Sequence, residues 1–378
     1  MKIAVISRGT PSQDHPLYGI FEFDQAKALA QAGHEVSFVA TDFRAASFKR
    51  SYGLRQYDKE GVHVFELSLP INVYRRGIPM LRRLLLIPFR AMLKSQGRPD
   101  IVHAHFYFMG NIASILKKKY HLPLVLTEHS SKLNKTIDHI SALDQKIASY
   151  AFGQCDQLIT VSDTLRENIL QNFRIQSQVV PNMVDDHCFH YGGRPVEQTP
   201  FVYVSVGNLL PIKGFDKLIQ AYAIVHDDDK LIIIGGGPEK ERLQEQVNQL
   251  GLSDSVTLTG PLERTKINEI YKNCHAFVLA SESETFGVSY IEALYAGLPV
   301  VATRCGGPES FVNESNGTLV AVNDVQAIAK GLRRIRENYD FYDSQKISAD
   351  CIARFSPSSI AKALEKVYQS VLEKASAQ

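Results

Sequence analysis

The chain has 378 residues, of which 44% are hydrophobic and 22% are charged, and its formal net charge is +2. This length exceeds the size at which one hydrophobic core stops growing, so we expect two domains, and the composition excludes a low-complexity or disordered chain. The five cysteines are odd in number and lack Cys-x-x-Cys spacing, which predicts a reducing, cytoplasmic compartment and no zinc site.

The first half of the chain alternates short apolar, β-rich runs with segments of helical period. The N-terminal run, Lys2–Ser7, is predicted to enter a strand directly, with no signal-peptide layout. Further strands are predicted at Val36–Ala40, Ile101–His105, Leu124–Thr127 and Gln157–Val161, with helices at Phe21–Ala32 and Asn111–Lys118. Such alternation is typical of βαβ units and a parallel sheet. We therefore predict a first α/β domain over residues 1–190.

A basic stretch follows the second of these strands. Residues 74–94 carry six cations among leucines and other apolar residues: Arg75, Arg76, Arg82, Arg83, Arg90 and Lys94. A basic, partly amphipathic segment can lie on an anionic membrane surface. Because Pro79 and Pro88 interrupt the helical period, a loop and helix with solvated charges is the alternative.

Polar side chains follow two predicted strands of the first domain, where a parallel sheet binds its ligands. His103 and His105 alternate to the same face of one strand. His105 is nearer the carboxyl end, whereas His103 is expected in the core. Tyr107 follows the same strand, and Glu128 and His129 follow the next; we expect these three residues to shape the choice of a second substrate. For Glu128, capping of a turn is the alternative.

The second half of the chain repeats the alternation. Residues 192–195, Gly-Gly-Arg-Pro, are predicted to link the domains. Strands are then predicted at Phe201–Val206, Lys230–Ile234, Val256–Thr259, Ala276–Leu279 and Pro299–Ala302. We predict a second α/β domain over residues 191–355, and a helix in residues 356–378 that packs back on the first domain. Two such sheets are expected to face each other across a cleft, the default ligand site.

The segment from residue 284 to residue 299 has the layout of an anion-binding helix. Thr285 is predicted to cap it, and Gly297 to end it in the left-handed conformation before Pro299. The first amide groups of such a helix lack intrahelical partners and favour an anion, such as a diphosphate. These amides are predicted to be those of Phe286, Gly287 and Val288.

Two glutamates flank the start of this helix. Glu284 and Glu292 lie roughly 12 Å apart along the axis, at about 1.5 Å per residue. At this separation they can accept hydrogen bonds from hydroxyl groups on either side of a diphosphate. The alternative is that both are ordinary helix carboxylates, one at the N-terminus and one in solvent.

The same residues carry a resemblance to a known family. Glu284-Thr-Phe-Gly followed by Tyr290-Ile-Glu292-Ala-Leu-Tyr-Ala-Gly-Leu-Pro resembles the Glu-x7-Glu signature of glycosyltransferase family 4. Four more segments resemble, in the family's order, its phosphate loop, the turn after its next strand, its nucleobase stretch and its Gly-Gly-x-x-Glu turn. They are residues 206–214, 234–239, 256–262 and 306–309. The resemblance therefore covers nearly the whole chain.

The resemblance implies the GT-B fold, an α/β architecture of two Rossmann-like parallel-sheet domains facing each other across a cleft. The first domain would bind the acceptor and the second the nucleotide sugar. It also implies a retaining transfer that needs no metal. Because the nucleotide sugar is a substrate, no cofactor is expected.

The resemblance also implies roles for individual residues. His105, Lys213 and Glu284 are implied as catalytic, with Glu284 orienting the donor sugar and Glu292 the ribose. The implied donor-binding residues are Gly19, Asn208, Lys213, Leu262, Glu284, Thr285, Phe286, Gly287, Val288 and Glu292, and the expected acceptor-binding residues are Tyr107, Glu128 and His129.

Two positions depart from the family's pattern. The family usually has an arginine where this chain has Asn208, so Lys213 alone is left to stabilise the charge of the departing diphosphate. Arg8 or Arg304 can compensate for it; the alternative is that both lie on solvated loops. The family's glycine loop commonly has paired glycines, and here Gly19 stands alone.

The sequence thus predicts a retaining glycosyltransferase acting in the synthesis of cell-surface polysaccharide or glycoconjugate. It would move a hexose or N-acetylhexosamine from a nucleoside diphosphate, UDP rather than GDP, to a glycan or lipid-linked acceptor. The alternatives are a sugar-nucleotide epimerase on the same fold and a non-catalytic sugar-nucleotide-binding subunit. We expect a cytoplasmic protein, peripheral at the inner face of the plasma membrane where residues 74–94 contact it, and no nucleic-acid partner.

Overall fold

A computed structural model describes residues 1–12, 14–15, 18–71, 77–195 and 200–377. They form two compact units, one of residues 1–183 and 357–378 and the other of residues 184–356. The division falls before the predicted linker and before the predicted boundary at residue 190. The reason is that the amide of Val184 donates to the backbone oxygen of Phe355 at 2.9 Å, and the amide of His190 donates to Oδ1 of Asn268 at 3.4 Å. These contacts fix the segment before residue 190 to the second unit.

The first unit is built on a twisted sheet whose described strands are parallel except at one edge. They are β1 (Lys2–Ser7), β2 (Glu35–Asp42), β3 (Gly53–Lys59), β4 (Val62–Ser68), β5 (Ile101–His105), β6 (Leu124–Glu128), β7 (Gln157–Thr160) and β8 (Gln178–Val179). Their order is β3-β4-β2-β1-β5-β6-β7-β8, and β3 pairs with β4 in antiparallel register. The β3–β4 hairpin turns at Glu60 and Gly61, both with positive φ; the sequence did not predict it.

Six helices of the described chain cover this sheet: α1 (Ile20–Gln31), α2 (Ile78–Gln96), α3 (Phe106–Tyr120), α4 (Ala142–Gln154), α5 (Asp163–Phe173) and α12 (Pro357–Ser376). The C-terminal helix α12 places Ile360, Leu364 and Tyr368 in the core beneath the sheet. The hydroxyl group of Tyr368 is 2.7 Å from Nδ1 of His103. Among the described residues, no helix is both long and apolar enough to cross a membrane.

The second unit has a sheet in which every described strand pair is parallel. Its strands are β9 (Val202–Val206), β10 (Lys230–Ile234), β11 (Val256–Gly260), β12 (Ala276–Leu279), β13 (Val300–Thr303) and β14 (Gly317–Val320), and its helices are α6 (Phe215–Val225), α7 (Lys240–Gln249), α8 (Arg264–Tyr271), α9 (Val288–Tyr295), α10 (Val325–Glu337) and α11 (Ser344–Phe355). The order β11-β10-β9-β12-β13-β14 reverses between β9 and β12. Ligands of open parallel sheets bind beyond the strand ends at such a switch point.

Candidate functional site

The loops after β9 and β12 bring Lys213 and Glu284 together at the switch point. Nζ of Lys213 lies 2.6 Å from Oε1 of Glu284. The β9 loop turns at Gly214, whose φ is +64, and a Cβ atom there would collide with the backbone oxygen of Ala280. Only glycine therefore lets the two loops pack backbone to backbone, which sets the distance between the ammonium and carboxylate groups.

Glu284 is held from several sides. Its backbone amide donates to the backbone oxygen of Cys305 at 2.9 Å, and its backbone oxygen accepts from the amide of Gly307 at 3.0 Å. The hydroxyl group of Ser281 donates to Oε1 of Glu284 at 2.7 Å, and Glu284 is only 8% exposed. The carboxylate is therefore fixed in place before any ligand binds.

Helix α9 begins later than predicted. Its N-cap is Gly287, with φ +95, and its first residue is Val288, so the predicted cap at Thr285 is wrong. The reason is the bridge between Glu284 and Gly306, which keeps the preceding backbone in the neighbouring strand pattern. The side chain of Phe286 is buried against Phe311, and the amide of Phe286 precedes the helix. Its contact with the donor remains a prediction.

The amides available at the start of α9 change accordingly. An α-helix that begins at Val288 leaves the amides of Val288 and Ser289 without intrahelical acceptors. They directly follow Gly287 and come a few residues after Glu284 in the sequence. Gly297 ends the helix with φ +94, as predicted. A negatively charged group at this end would meet partial positive charge from the helix.

Glu292 has a partner that the sequence analysis missed. Its Oε1 lies 3.9 Å from Nε of Arg264, and Nη1 of Arg264 lies 3.8 Å from Oδ2 of Asp185. Glu292 is 7% exposed, so it is not the solvated helix carboxylate of the alternative interpretation. Arg264 opens α8 two residues after Leu262, the half-buried end of the predicted nucleobase stretch. This position, directly after the nucleobase stretch, is the sequence feature that could have identified Arg264 as a site residue.

The position expected to carry an arginine is open to solvent. Asn208 is exposed just after β9. Of the two suggested substitutes, Arg304 belongs to the second unit and is largely exposed, with Nη1 3.8 Å from Oε2 of Glu309. Arg8 belongs to the first unit, where it pairs with Glu22 at 3.3 Å.

The first unit buries the predicted histidines. His103 accepts or donates on both ring nitrogens, to Tyr368 and to Thr127 at 2.7 Å each, as expected of a core residue. His105 is also fully buried, and its Nδ1 is 3.0 Å from Nε2 of His129. Burial lowers the pKa of His103 and of His129 to about 3 and that of His105 well below its usual range. All three rings are therefore neutral at pH 7.

Glu128 binds backbone amides. Its carboxylate accepts from the amides of Tyr107, His129 and Ser130 at 2.6, 2.9 and 2.7 Å. Burial raises its pKa to about 7 despite these bonds. Because Tyr107 lies in the first turn of α3, Glu128 performs the capping role of the alternative interpretation. The hydroxyl group of Tyr107 donates to Asp144 at 2.6 Å. Acceptor contacts by Tyr107, Glu128 and His129 remain predictions.

The glycine loop is described in part. Gly19 has φ +77, and a Cβ atom there would collide with the backbone oxygen of Gly9, so this position requires glycine. Pro16 and Leu17 of the loop lie outside the described residues, as do residues 74–76 of the basic stretch.

Two family models match the chain. The model described as "Glycosyltransferase Family 4" matches residues 23–187, and "Glycosyl transferases group 1" matches residues 193–350. The chain is 27% identical to the putative teichuronic acid biosynthesis glycosyltransferase TuaC of Bacillus subtilis, over 98% of this chain and 99% of that protein. It is 22% identical to N-acetyl-alpha-D-glucosaminyl L-malate synthase of Bacillus anthracis, over 94% of each.

Solved structures share the architecture. Sucrose-phosphate synthase from Thermosynechococcus elongatus superposes with a TM-score of 0.79 at 19% identity, covering 99% of both chains. HepE from Anabaena, in complex with UDP, superposes with a TM-score of 0.74 at 20% identity, over 98% of this chain and 99% of that one. On the two family models, which match residues 23–187 and 193–350, the chain belongs to glycosyltransferase family 4, with a group 1 glycosyltransferase domain in its second unit. Its two parallel-sheet α/β domains are those of the GT-B fold.

Proposed function

We propose that this glycosyltransferase moves a hexose or N-acetylhexosamine from a nucleoside diphosphate to a glycan or lipid-linked acceptor, with retention and without a metal. The observation that carries the proposal is the Lys213–Glu284 contact at the switch point of the second sheet. UDP is favoured over GDP because HepE of Anabaena was solved with UDP and with UDP-glucose.

Lys213 supplies the positive charge that the leaving diphosphate needs. Its ammonium group has three N–H donors, of which one faces Glu284. Charge that develops on the leaving oxygen is stabilised best by donors that are already fixed in place. The amides at the start of α9 provide a second set of such donors, and the leaving phosphate takes the acceptor's proton as attack occurs from the same face of the sugar.

Arg304 is the better candidate to supplement Lys213 in place of the absent arginine. It immediately precedes Cys305, whose backbone oxygen accepts the amide hydrogen of Glu284. Arg8 is less suited, because Glu22 already offsets its charge within the first unit.

The two glutamates bind different parts of the donor. Glu284 orients hydroxyl groups of the sugar, since its carboxylate is already fixed by Ser281 and Lys213. Glu292 accepts from the ribose, and its carboxylate lies 3.9 Å from Arg264, which begins the helix that follows the nucleobase stretch ending at Leu262. His105 is the proposed substrate contact of the first unit. Its ring is buried, so contact requires movement at Phe106, which has a strained φ of +66.

Helix α2 is the proposed contact with an anionic membrane at the cytoplasmic face. Its 19 residues include no acidic side chain. Arg83, Arg90 and Lys94 are exposed beside Met80 and Ile87, which are 40% and 43% exposed. Arg82 does not contribute, since it donates to the backbone oxygen and side chain of Asn111. Exposed cations interleaved with apolar side chains suit an interfacial helix.

The donor proposal is tested with the full chain and UDP, GDP, ADP and UDP-glucose. We expect UDP to raise the unfolding temperature most, and UDP-glucose alone to be hydrolysed slowly with release of UDP. Interconversion of UDP-glucose and its epimer without an acceptor, followed by proton NMR, would establish the epimerase instead. Binding of UDP-glucose with neither hydrolysis nor transfer to a bacterial lipid extract would favour the non-catalytic subunit. If no nucleotide changes the unfolding temperature, the proposal fails.

A further inference from the structure

A cavity of about 210 Å³ lies in the first unit, at the carboxyl ends of β1 and β2 and beside α2 and α3. We call it the Arg8–Arg44 pocket. It lies at the strand ends of the first sheet, where the order reverses between β1 and β5, and the donor residues of the second unit do not line it. Its lining includes Arg8, Thr41, Arg44, Phe43, Phe48 and Leu81.

One side of the pocket is positively charged. Nη2 of Arg44 pairs with Asp42 at 2.7 Å, and Arg50 pairs with the same carboxylate at 3.1 Å. One aspartate thus faces two arginines. Arg8 pairs with Glu22 at 3.3 Å, so three arginines share two carboxylates here. Positive charge therefore exceeds negative charge at this side.

The two lining arginines are held in position by aromatic rings. The guanidinium carbon of Arg44 lies 3.8 Å from the centre of the Tyr18 ring, and that of Arg8 lies 4.3 Å from the centre of the Phe106 ring. Contacts of this kind orient the planar guanidinium group. Nε and Nη2 of Arg44 donate to Asp42, so an oxyanion would bind at Nη1. The pocket therefore has donors in fixed positions before a ligand enters.

A buried hydroxyl group also points to a ligand. Thr41 is 3% exposed and lines the pocket, and within the described parts of the chain its Oγ1 has no hydrogen-bond partner. Buried polar atoms of native proteins are nearly always paired, so an unpaired one needs an explanation. An oxygen atom of a bound molecule would pair with this hydroxyl group.

The remaining walls are apolar. They are lined by Phe43, by Leu81 of α2 and by apolar side chains of α3, and Phe48 is an aromatic residue that stays 43% exposed. Leu81 belongs to α2, the helix whose outer face carries exposed cations and apolar side chains. A ligand that complements both the positively charged side and the apolar walls has an anionic group at one end and an apolar body at the other.

We propose that the Arg8–Arg44 pocket binds the acceptor substrate through a phosphate or carboxylate group carried on an apolar body. This inference rests on the proposed function, since it names the class of acceptor for the same enzyme. The guanidinium groups bind the oxyanion, Thr41 pairs with one of its oxygen atoms, and the aromatic and aliphatic walls cover the adjoining hydrocarbon. Because the hydrocarbon is recognised, a free phosphorylated sugar is a weaker ligand than a lipid phosphate.

Calorimetric titration of the full chain tests this with geranyl phosphate, geraniol, glucose 6-phosphate and inorganic phosphate, at concentrations below micelle formation. We expect geranyl phosphate to bind at least about tenfold more tightly than the other three compounds, since each loses either the charged hydrogen bonds or the apolar contact. Equal binding of glucose 6-phosphate would overturn the lipid source, and equal binding of geraniol would overturn the role of the arginines.

Two variants locate the site, and each is compared with Lys362→Gln at an exposed position of α12 in the same unit. Arg8→Gln should weaken geranyl phosphate binding about tenfold and Thr41→Val about threefold or more, whereas Lys362→Gln should leave it unchanged. Thr41→Val preserves the shape of the side chain and removes only the unpaired hydroxyl group, so its loss of affinity would not come from a folding defect. If both pocket variants bind as the parent does, or if Lys362→Gln loses as much affinity, the inference is wrong.

Titration with UDP separates this inference from the proposed function. All three variants should bind UDP as the parent does. UDP binding without pocket-dependent binding of geranyl phosphate overturns the pocket inference and leaves the donor proposal standing. The reverse result overturns the donor proposal and supports the pocket as an anionic-lipid site.

Discussion

The ammonium nitrogen of Lys213 lies 2.6 Å from a carboxylate oxygen of Glu284, although 71 positions separate the two residues in the chain. Lys213 follows β9 and Glu284 follows β12, the two strands on either side of the point where strand order reverses. The pair therefore arises from topology rather than from sequence proximity. It also keeps both charges near the start of α9, where a diphosphate is proposed to bind.

Replacing Lys213 should abolish most of the activity. We expect Lys213→Gln to lower the rate of UDP release from UDP-glucose about 10²- to 10³-fold, because a fixed cation at the leaving group is lost. Lys217→Gln is the matched control, since Lys217 lies on the adjoining helix and pairs with Glu282 at 2.9 Å. Equal losses in the two variants would contradict a specific role for Lys213.

Arg264 should affect nucleotide binding more than the chemical step. Because it contacts Glu292 rather than the reacting bond, Arg264→Gln should raise the Kd for UDP about tenfold and change kcat little. The measurement is calorimetric titration of UDP together with steady-state kinetics. Lys266→Gln, at an exposed position two residues further along α8, should leave both constants unchanged. A fall in kcat at constant Kd would contradict the assignment.

Stability should fall on acidification below about pH 6.5. His103, His105 and His129 are buried with lowered pKa values, so below their ordinary pKa of about 6.5 the unfolded chain binds protons that the native protein does not. Glu128 acts in the opposite sense: its pKa is raised to about 7, so the stability it contributes is present at low pH and is lost as pH rises from about 4.5 to 7. Three histidines against one glutamate give a net slope of roughly 2.7 kcal/mol per pH unit between pH 6 and pH 5.

Urea unfolding at pH 7, 6 and 5, followed by circular dichroism, measures this slope. His103→Gln should reduce it by about one proton, or about 1.4 kcal/mol per pH unit. The exposed His226 provides the control, and its replacement by glutamine should preserve the slope of the parent. A stability that is flat from pH 7 to pH 5 would show that these rings do not stay neutral.

Gly214 should be far less tolerant of alanine than a glycine with the same backbone angle in open space. Gly214 and Gly251 have φ values of +64 and +69, but a Cβ atom meets the Ala280 backbone only at Gly214. Gly251→Ala should cost about 1–2 kcal/mol from the left-handed conformation alone. Gly214→Ala should cost more than that and should also lower UDP binding. Equal changes in the free energy of unfolding would mean that the loops do not pack as closely as described.

The outer face of α2 should determine binding to anionic vesicles. Arg83→Gln with Arg90→Gln should weaken sedimentation with vesicles of phosphatidylglycerol and phosphatidylcholine by about tenfold or more, at about 1 kcal/mol per cation. The control is Lys362→Gln with Lys366→Gln, which removes two exposed cations from α12 of the same unit. Equal weakening in both double variants would indicate unspecific attraction.

Most strands of the two sheets could be predicted because they are short, apolar and largely buried. Each predicted strand matches an observed one to within two residues at either end. Strands β3, β4, β8 and β14 were not predicted. Of these, β3 lies at the sheet edge, and its half-exposed, largely polar sequence has no continuous apolar run. Periodicity gives no strong signal for such a strand.

The candidate site was harder to predict in detail. Gly287 rather than Thr285 starts α9 because of a bridge to Gly306, a contact that no local propensity contains. For the same reason Arg264 was missed, since its approach to Glu292 depends on how α8 and α9 lie on the sheet. The residue types of the site could be identified from the sequence, whereas their partners could not.

The C-terminal helix of this chain completes a unit that the chain leaves at residue 183. His103 and Tyr368, 265 positions apart, share a hydrogen bond in the core of that unit. During synthesis the ribosome therefore finishes all of the second unit before the first can close. The second unit is one continuous segment and can fold as it emerges. The apolar face of the first unit that α12 covers stays exposed during that time. The first unit is thus the last to close, and its core stays accessible to chaperones and proteases until then.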